Sequence, residues 1–121
     1  MAIQNYLALS VVAPSGQKIR NCEKTIEVRK WLPPHLPMRN LLIVENQHYL
    51  LQDGDEEQGI TVALVDIATA HPWREDEVAS ACANDWQQGY FAWEISNVRP
   101  LSTISVLAKR KLYHLDVDLS K

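Results

Sequence analysis

A chain of 121 residues corresponds to one ordinary domain, expected over residues 1–121, and can bury roughly two-thirds of its unfolded surface. Apolar residues make up 46% and charged residues 22%, which excludes a disordered tail and indicates a globular protein. No apolar run approaches the roughly 20 residues that cross a bilayer, so no membrane partner is expected. The N-terminal sequence lacks a basic region followed by an apolar core, and we therefore expect a cytoplasmic protein.

The net charge of −3 is distributed unevenly along the chain. Residues 1–50 carry +3, residues 51–100 carry −8 and residues 101–121 carry +2. Because salt screens charges beyond roughly 8–10 Å, a basic first part can meet phosphate even in an acidic protein. The overall balance argues against extended, non-specific binding to nucleic acid.

The two cysteines, Cys22 and Cys82, are too few for a disulfide framework, and both are expected as reduced thiols. We expect Cys22 to be a small buried residue, although the neighbouring Lys24 would favour a reactive thiol there. The four histidines show no ligand spacing with either cysteine, so neither a metal nor another cofactor is expected.

Short apolar segments separated by proline and glycine indicate a chain composed mostly of strands. The predicted strands cover residues 6–12, 23–31, 41–45, 60–70, 90–101, 104–107 and 112–117. A short helix is expected over residues 15–22, and a second over residues 74–85, where Val78, Ala81 and Cys82 repeat at helical spacing. About five to six strands with one or two helices predict a mainly β (α+β) fold, closed largely on itself as a small barrel.

The segment from Glu23 to Trp31 contains the densest set of polar functional groups. Side chains alternate across a strand, so Ile26 and Val28 are expected to face the core. The opposite face would then carry Thr25, Glu27, Arg29 and Trp31. A row of hydroxyl, carboxylate, guanidinium and indole groups is typical of a groove, but it also fits a solvated face with local ion pairs.

Three further polar residues interrupt apolar surroundings. Asp66 lies alone in an apolar strand, so we expect it to pair with an arginine such as Arg29 or Arg99, or to face the groove. Arg39 follows a proline-rich loop, where it could meet a phosphate or remain an ordinary surface residue. Asn97 is expected at a bulge that reverses the side-chain alternation of its strand.

Four segments in combination are similar to one known family. They are Glu23-Lys24-Thr25-Ile26-Glu27-Val28-Arg29, Leu41-Leu42-Ile43, Val62-Ala63-Leu64-Val65-Asp66-Ile67 and Tyr90-Phe91-Ala92-Trp93-Glu94-Ile95-Ser96-Asn97-Val98-Arg99-Pro100-Leu101. From Leu7 to Val117 the chain resembles the ASCH domain, a member of the PUA-like superfamily of pseudo-β-barrels. The resemblance implies an association with RNA and a cleft between the barrel and the first helix, lined by the Lys-Thr-x-Glu-x-Arg strand.

The resemblance also implies two possible enzymatic activities. Some ASCH members hydrolyse the amide of N4-acetylcytidine with a lysine, a threonine and a glutamate, and others have been described as ribonucleases. Lys24 matches the family lysine, whereas Glu27 occupies the position of the threonine and Thr25 is the nearby hydroxyl. The Arg-Gly of many members is Arg39-Asn40 here, and the lysine motif near the C-terminus, residues 108–111, lacks its glycine.

Three hypotheses for the function follow. In the first, the chain binds RNA or a nucleoside-like small molecule through Lys24 and a ligand-binding set: Arg29, Trp31, Arg39, Asp66, Asn97 and Arg99. In the second, it is a metal-independent hydrolase of a modified nucleoside or of RNA, with Lys24, Glu27 and Thr25 as catalytic residues. In the third, it binds another protein.

Overall fold

A computed structural model describes residues 2–120 of the chain. Its strands are β1 (Gln4–Val12), β2 (Ile26–Arg29), β3 (Met38–Asn46), β4 (Glu56–Pro72), β5 (Phe91–Pro100), β6 (Ser105–Lys109) and β7 (Leu112–Val117). One α-helix, α1 (Ser15–Arg20), follows β1, and a short 3₁₀ helix (Glu75–Glu77) follows β4. The predicted mainly β fold with short helices is confirmed.

The strands form one sheet, but this sheet is not a closed barrel. The hydrogen-bonded order is β2-β5-β4-β3-β1-β7, and β6 pairs with β4 beside this path. Within residues 2–120, no pairing joins β2 to β7, so the expected closure is wrong. The count of five to six strands is also too low, because all seven predicted segments form strands.

The long strand β4 organises the sheet. Its 17 residues pair with β3 along one edge, while β6 and β5 share the other edge in succession. Pairs Glu56↔Lys109 and Pro72↔Phe91 mark the two ends of this shared edge. Since β6 and β5 divide one edge between them, the sheet splits there and its two outer strands remain apart.

Both faces of the central strands are covered. Leu41 and Ile43 of β3 belong to the larger apolar cluster, which also contains Ile19 of α1 and Trp93 of β5. The alternate residues of β3 face a second cluster formed with β6 and β7. Burial on both faces explains why this strand reads as a continuous apolar run in the sequence.

Helix α1 is the short helix expected after the first strand, and it lies close to β3. Ile19 is fully buried. A Cβ atom at Gly16 would lie 2.7 Å from Cβ of Glu45, so only glycine permits this approach of the helix to the strand. The adjacent Gln17 backbone N–H donates to the Glu45 carboxylate at 2.9 Å. These contacts fix the position of the chain that leads into β2.

The helix predicted over residues 74–85 is wrong. Only Glu75–Glu77 form a 3₁₀ helix, and turns follow. Glu77 is held by the His71 ring at 2.8 Å and by the Arg74 backbone N–H at 3.0 Å. Cys82 has a left-handed φ of 54°, which ends the turn. Val78 and Ala81, two of the three residues that suggested a helix, pack instead into a third cluster with Trp73.

The expectation that Cys22 is buried is also wrong. Cys22 and Cys82 are free and exposed. Each has positive φ, 61° and 54° respectively. A residue in this backbone region commonly ends a turn, and such turns lie at the surface, which explains the exposure.

Among the helices of residues 2–120, none has the length and apolar character needed to cross a bilayer.

Candidate ligand-binding cleft

A cleft of about 800 Å³ lies above β2. Its walls come from the end of β1, from β2 and Trp31, from the loop after β3, from residues 81–87 and from the β6–β7 turn. Ligand sites for small molecules usually enclose about 300–1,000 Å³. This cleft therefore has the size to hold a ligand such as a nucleotide.

Strand β2 places two charged groups at the floor of the cleft. It pairs antiparallel with β5, with Glu27 opposite Trp93 and Val28 opposite Ala92. Ile26 and Val28 pack on the Trp73 cluster. Glu27 and Arg29 point to the other side, as the alternation of the sequence predicts, and both line the cleft.

Lys24, Glu27 and Arg29 form one connected charged group. The Glu27 carboxylate lies 3.5 Å from Nζ of Lys24 and 2.8 Å from Nε of Arg29. Lys24 donates to the backbone oxygen of Ala81 at 2.7 Å, and Arg29 donates to that of Ser10 at 2.9 Å. Lys24 and Glu27 are buried, with 7% and 8% of their surface exposed. These bonds to the backbone of distant segments fix both cations in place.

Thr25 does not reach this group. It is exposed and lies outside the lining of the cleft. Its backbone instead joins two elements: its N–H donates to Ser80 and its oxygen accepts from Ile95, each at 2.9 Å. The sequence-based grouping of Thr25 with Lys24 and Glu27 thus fails on geometry, because β2 begins only at Ile26 and the alternation of the strand does not extend back to Thr25.

Trp31 forms one wall of the cleft. Its ring packs edge-on against Trp93, with ring centroids 4.8 Å apart and planes at 87°. The indole N–H of Trp93 donates to the backbone oxygen of Trp31 at 3.1 Å. Trp31 is half-buried, so part of the ring remains accessible from the cleft.

The remaining predicted residues form a separate group away from the cleft. Asp66 accepts bonds from the Asn40 backbone at 3.0 Å, from the Asn97 side chain at 3.0 Å and from Arg99 at 3.1 Å. Arg39 lies 3.6 Å from the same carboxylate. None of Arg39, Asp66, Asn97 and Arg99 lines the cleft. The Asn97 and Asn40 hydrogen bonds, together with Arg99, lower the pKa of Asp66 from 3.8 to about 2.

This second group stabilises a bulge. Asn97 has a φ of 52°, and the pairing of β4 with β5 shifts register between Leu64 and Asp66. The bulge expected at Asn97 is therefore present. Asp66 pairs with Arg99, one of the two arginines suggested by the sequence, and not with Arg29. Its ring of donors joins β3, β4 and β5 at the irregular point of their pairing.

The cleft also contains residues that the sequence analysis did not assign to it. They include Ser10, Lys30, Asn46, His48, Tyr49, Tyr90, Lys109, Arg110 and Lys111. The basic run at residues 109–111 is visible in the sequence, but its position opposite β2 depends on the fold. Six cationic side chains and two carboxylates line the cleft. Two of the cations, Lys109 and Arg110, pair with Glu56 and Asp53 outside the lining, which leaves a local excess of two positive charges in a protein of net charge −3. The cleft thus favours an anionic ligand.

Residues 2–120 contain no cluster of three or more His, Cys, Asp or Glu side chains that could hold a metal ion. His71 does lie between two carboxylates, 2.8 Å from Glu77 and 3.3 Å from Glu94. This arrangement lies outside the lining of the cleft and ties β4 to β5 and to the 3₁₀ helix.

Together, the fold and the site define a small, mainly β domain with a cationic cleft beside a short strand. The chain matches the family model of the ASCH domain over residues 9–105. This match covers most of the chain, which therefore belongs to the ASCH domain family. No curated protein matches it.

Proposed function

We propose that this ASCH domain binds single-stranded RNA, or a nucleotide-like unit of it, in the cleft above β2. The observation that supports this most strongly is the excess of positive charge in the cleft of an acidic protein. Phosphate groups supply much of the affinity of proteins for nucleic acid, and a local cationic surface suffices to attract them. The family membership adds to the same expectation.

The chemistry of the lining matches the parts of a nucleotide. Lys30 and Lys111 are exposed cations that suit phosphate. Arg29 and Lys24 lie deeper, where their N–H groups suit the acceptor atoms of a base or ribose. The accessible part of the Trp31 ring offers a surface for stacking, which contributes about 1–3 kcal/mol per base.

The salt dependence of binding tests this proposal. We expect a short single-stranded RNA to bind with an affinity that falls as salt rises, by a logarithmic slope of about −0.7 for each phosphate contacted. Lys30→Ala should weaken binding and flatten this slope by about one contact. Lys18→Ala removes the same charge from α1, outside the cleft, and serves as the matched control.

Two results would contradict the proposal. One is an absence of salt-sensitive binding to RNA by the unmodified protein. The other is an equal loss of affinity in Lys18→Ala and Lys30→Ala, because this would indicate a diffuse charge effect and not a site. Binding that survives nuclease treatment of a protein mixture would instead favour a protein partner.

A hydrolase acting on an acylated nucleoside is a second candidate, supported by the buried Lys24–Glu27 pair at the cleft floor. In this reaction Glu27 takes a proton from water, and the water oxygen bonds to the acyl carbon. The C–N bond breaks as that proton passes to the departing amine nitrogen. Lys24 stabilises the charge that develops on the carbonyl oxygen. Thr25 takes no part, since it lies outside the cleft.

Incubation with N4-acetylcytidine tests the second candidate. We expect the unmodified protein to release acetate and cytidine, Lys24→Ala to lose this turnover and Lys18→Ala to retain it. Thermal unfolding of both variants shows whether Lys24→Ala remains folded. No turnover by the unmodified protein would exclude this activity for that substrate and leave the binding proposal intact.

A further inference from the structure

Tyr49 is an exposed aromatic residue at the rim of the cleft. It lies in the loop between β3 and β4, lines the cleft and exposes 77% of its surface. An exposed aromatic side chain is not by itself a binding site. The relevant question is whether the surrounding structure holds this ring beside other groups that a ligand needs.

The loop around Tyr49 is anchored on both sides. Before it, the Glu57 carboxylate accepts from the backbone N–H groups of Gln47 and His48, at 2.8 and 3.0 Å. After it, the Asp55 carboxylate accepts from the N–H groups of Leu51 and Gln52, at 3.2 and 3.0 Å. The acidic run at residues 53–57 supplies both carboxylates. Ordering the loop before binding reduces the entropy that a ligand must overcome.

The hydrogen bonds of the first anchor also lower the pKa of the Glu57 carboxyl group. Hydrogen bonds from His48, its ring first and then its backbone N–H, lower the pKa of Glu57 from 4.5 to about 2. The side chain of Asn46 adds another bond at 2.9 Å. At neutral pH this carboxylate is therefore ionised, and the anchor is intact.

The same loop is joined to the basic β6–β7 turn. Asp53 lies 2.7 Å from Arg110, and Glu56 lies 3.6 Å from Lys109. These pairs leave Lys111 as the cation of that turn with no ion-pair partner among residues 2–120. Lys111 is exposed and lines the cleft, as Tyr49 does. An aromatic ring and an unpaired cation thus share one rim.

We propose that Tyr49 and Lys111 form a second nucleotide subsite at the rim, so that the ligand is an RNA oligonucleotide and not a free nucleotide. The ring stacks on the base that flanks the nucleotide in the cleft, and the ammonium group contacts the phosphate that links the two. This inference rests on the proposed function. It extends that function from one nucleotide to at least two.

Binding of two probes to the intact protein tests the subsite. The probes are uridine 5′-monophosphate and a short oligouridylate, each titrated at the same low salt concentration. We expect the oligouridylate to bind at least about tenfold more tightly than the monophosphate. Tyr49→Ala should remove about tenfold of the affinity for the oligouridylate and leave that for the monophosphate unchanged.

Two further variants make the test specific to the ring. Tyr49→Phe keeps the ring and should bind as the unmodified protein does. Leu51→Ala, in the same loop with 74% exposure and outside the cleft lining, is the matched control and should also bind normally. Thermal unfolding should be unchanged in all three, since these side chains are exposed.

The outcomes separate the two proposals. Salt-sensitive binding of both probes with equal affinity, and no effect of Tyr49→Ala, would overturn the subsite while the cleft remains a nucleotide site. An equal loss in Tyr49→Ala and Leu51→Ala would overturn it as well, because the loop and not the ring would then matter. Binding of neither probe would overturn the proposed function and the subsite together.

Discussion

Glu27 and Asp66 are both buried carboxylates in strands, and both are paired with an arginine. Their exposed fractions are 8% and 6%, and their guanidinium partners lie at 2.8 and 3.1 Å. They differ in what lies in front of them. Glu27 faces a cleft of about 800 Å³, whereas Asp66 lies outside it and is surrounded by donors from the two neighbouring strands, β3 and β5.

This difference shows why charged residues in strands do not all mark a site. The carboxylate of Asp66 joins irregular strand pairings, and its hydrogen bonds leave little to offer a ligand. The Glu27 group, formed by Lys24, Glu27 and Arg29, is also ion-paired, but its side chains line the cleft. We therefore expect changes at Asp66 to affect stability, and changes at the Glu27 group to affect binding.

The largest effect is expected for Asp66→Ala. The substitution leaves the Asn40 N–H, the Asn97 amide and Arg99 without their acceptor, which should lower the free energy of unfolding by about 2–3 kcal/mol. Thermal unfolding should show a midpoint lower by roughly 10 °C. RNA affinity of the folded protein should not change. A loss of affinity at temperatures where the variant is folded would contradict the separation of the two groups.

Glu27→Gln should have a smaller effect on stability than Asp66→Ala, but it should change the affinity for RNA. The amide keeps an acceptor for Arg29 but loses the charge that faces Lys24. We therefore expect the free energy of unfolding, measured by chemical denaturation, to fall by about 1–2 kcal/mol. Removing a negative charge from the cleft should raise the affinity for RNA. A lower affinity would show that the carboxylate itself contacts the ligand, and loss of hydrolysis would support its catalytic role.

The decrease in the stability of the fold at acidic pH should depend on Asp66. Its pKa in the folded protein, about 2, is below the ordinary value of 3.8. Ionised Asp66 thus stabilises the fold above about pH 4, and this contribution is lost as the pH falls through about 2. The difference in unfolding midpoint between the unmodified protein and Asp66→Asn should shrink from pH 7 to pH 2. Glu75→Gln, an exposed change, is the control and should show no such trend.

Arg39→Ala should have the smallest effect. Its side chain is 68% exposed and lies 3.6 Å from Asp66, so the pair contributes at most about 0.5 kcal/mol. Because Arg39 lies outside the cleft, RNA affinity should also remain unchanged. A clear loss of affinity would mean that the ligand extends from the cleft to the Asp66 group.

Much of the fold could be predicted because strand periodicity is a strong local signal. All seven predicted strands are present, and Asn97 lies at the expected bulge. The helix over residues 74–85 could not be excluded from its own sequence, since its spacing is helical. The packing of Trp73 and the contact of Glu77 with His71 override that spacing, and both depend on residues outside the segment.

The site was predictable to the extent that it lies on one strand. Lys24, Glu27 and Arg29 are close in sequence, and β2 brings them together. Arg39, Asp66 and Arg99 also meet, but local sequence does not show on which side of the sheet. Tyr49 and Lys111 are 62 positions apart in the chain, so only the pairing of β4 with its neighbours places them at one rim.

The positive cleft has a consequence for how a ligand arrives. Since the lining carries an excess of positive charge and the whole chain carries −3, the rest of the chain carries a net negative charge. A local excess of positive charge of this kind attracts a polyanion and speeds its association. Added salt should accordingly slow association far more than it speeds dissociation.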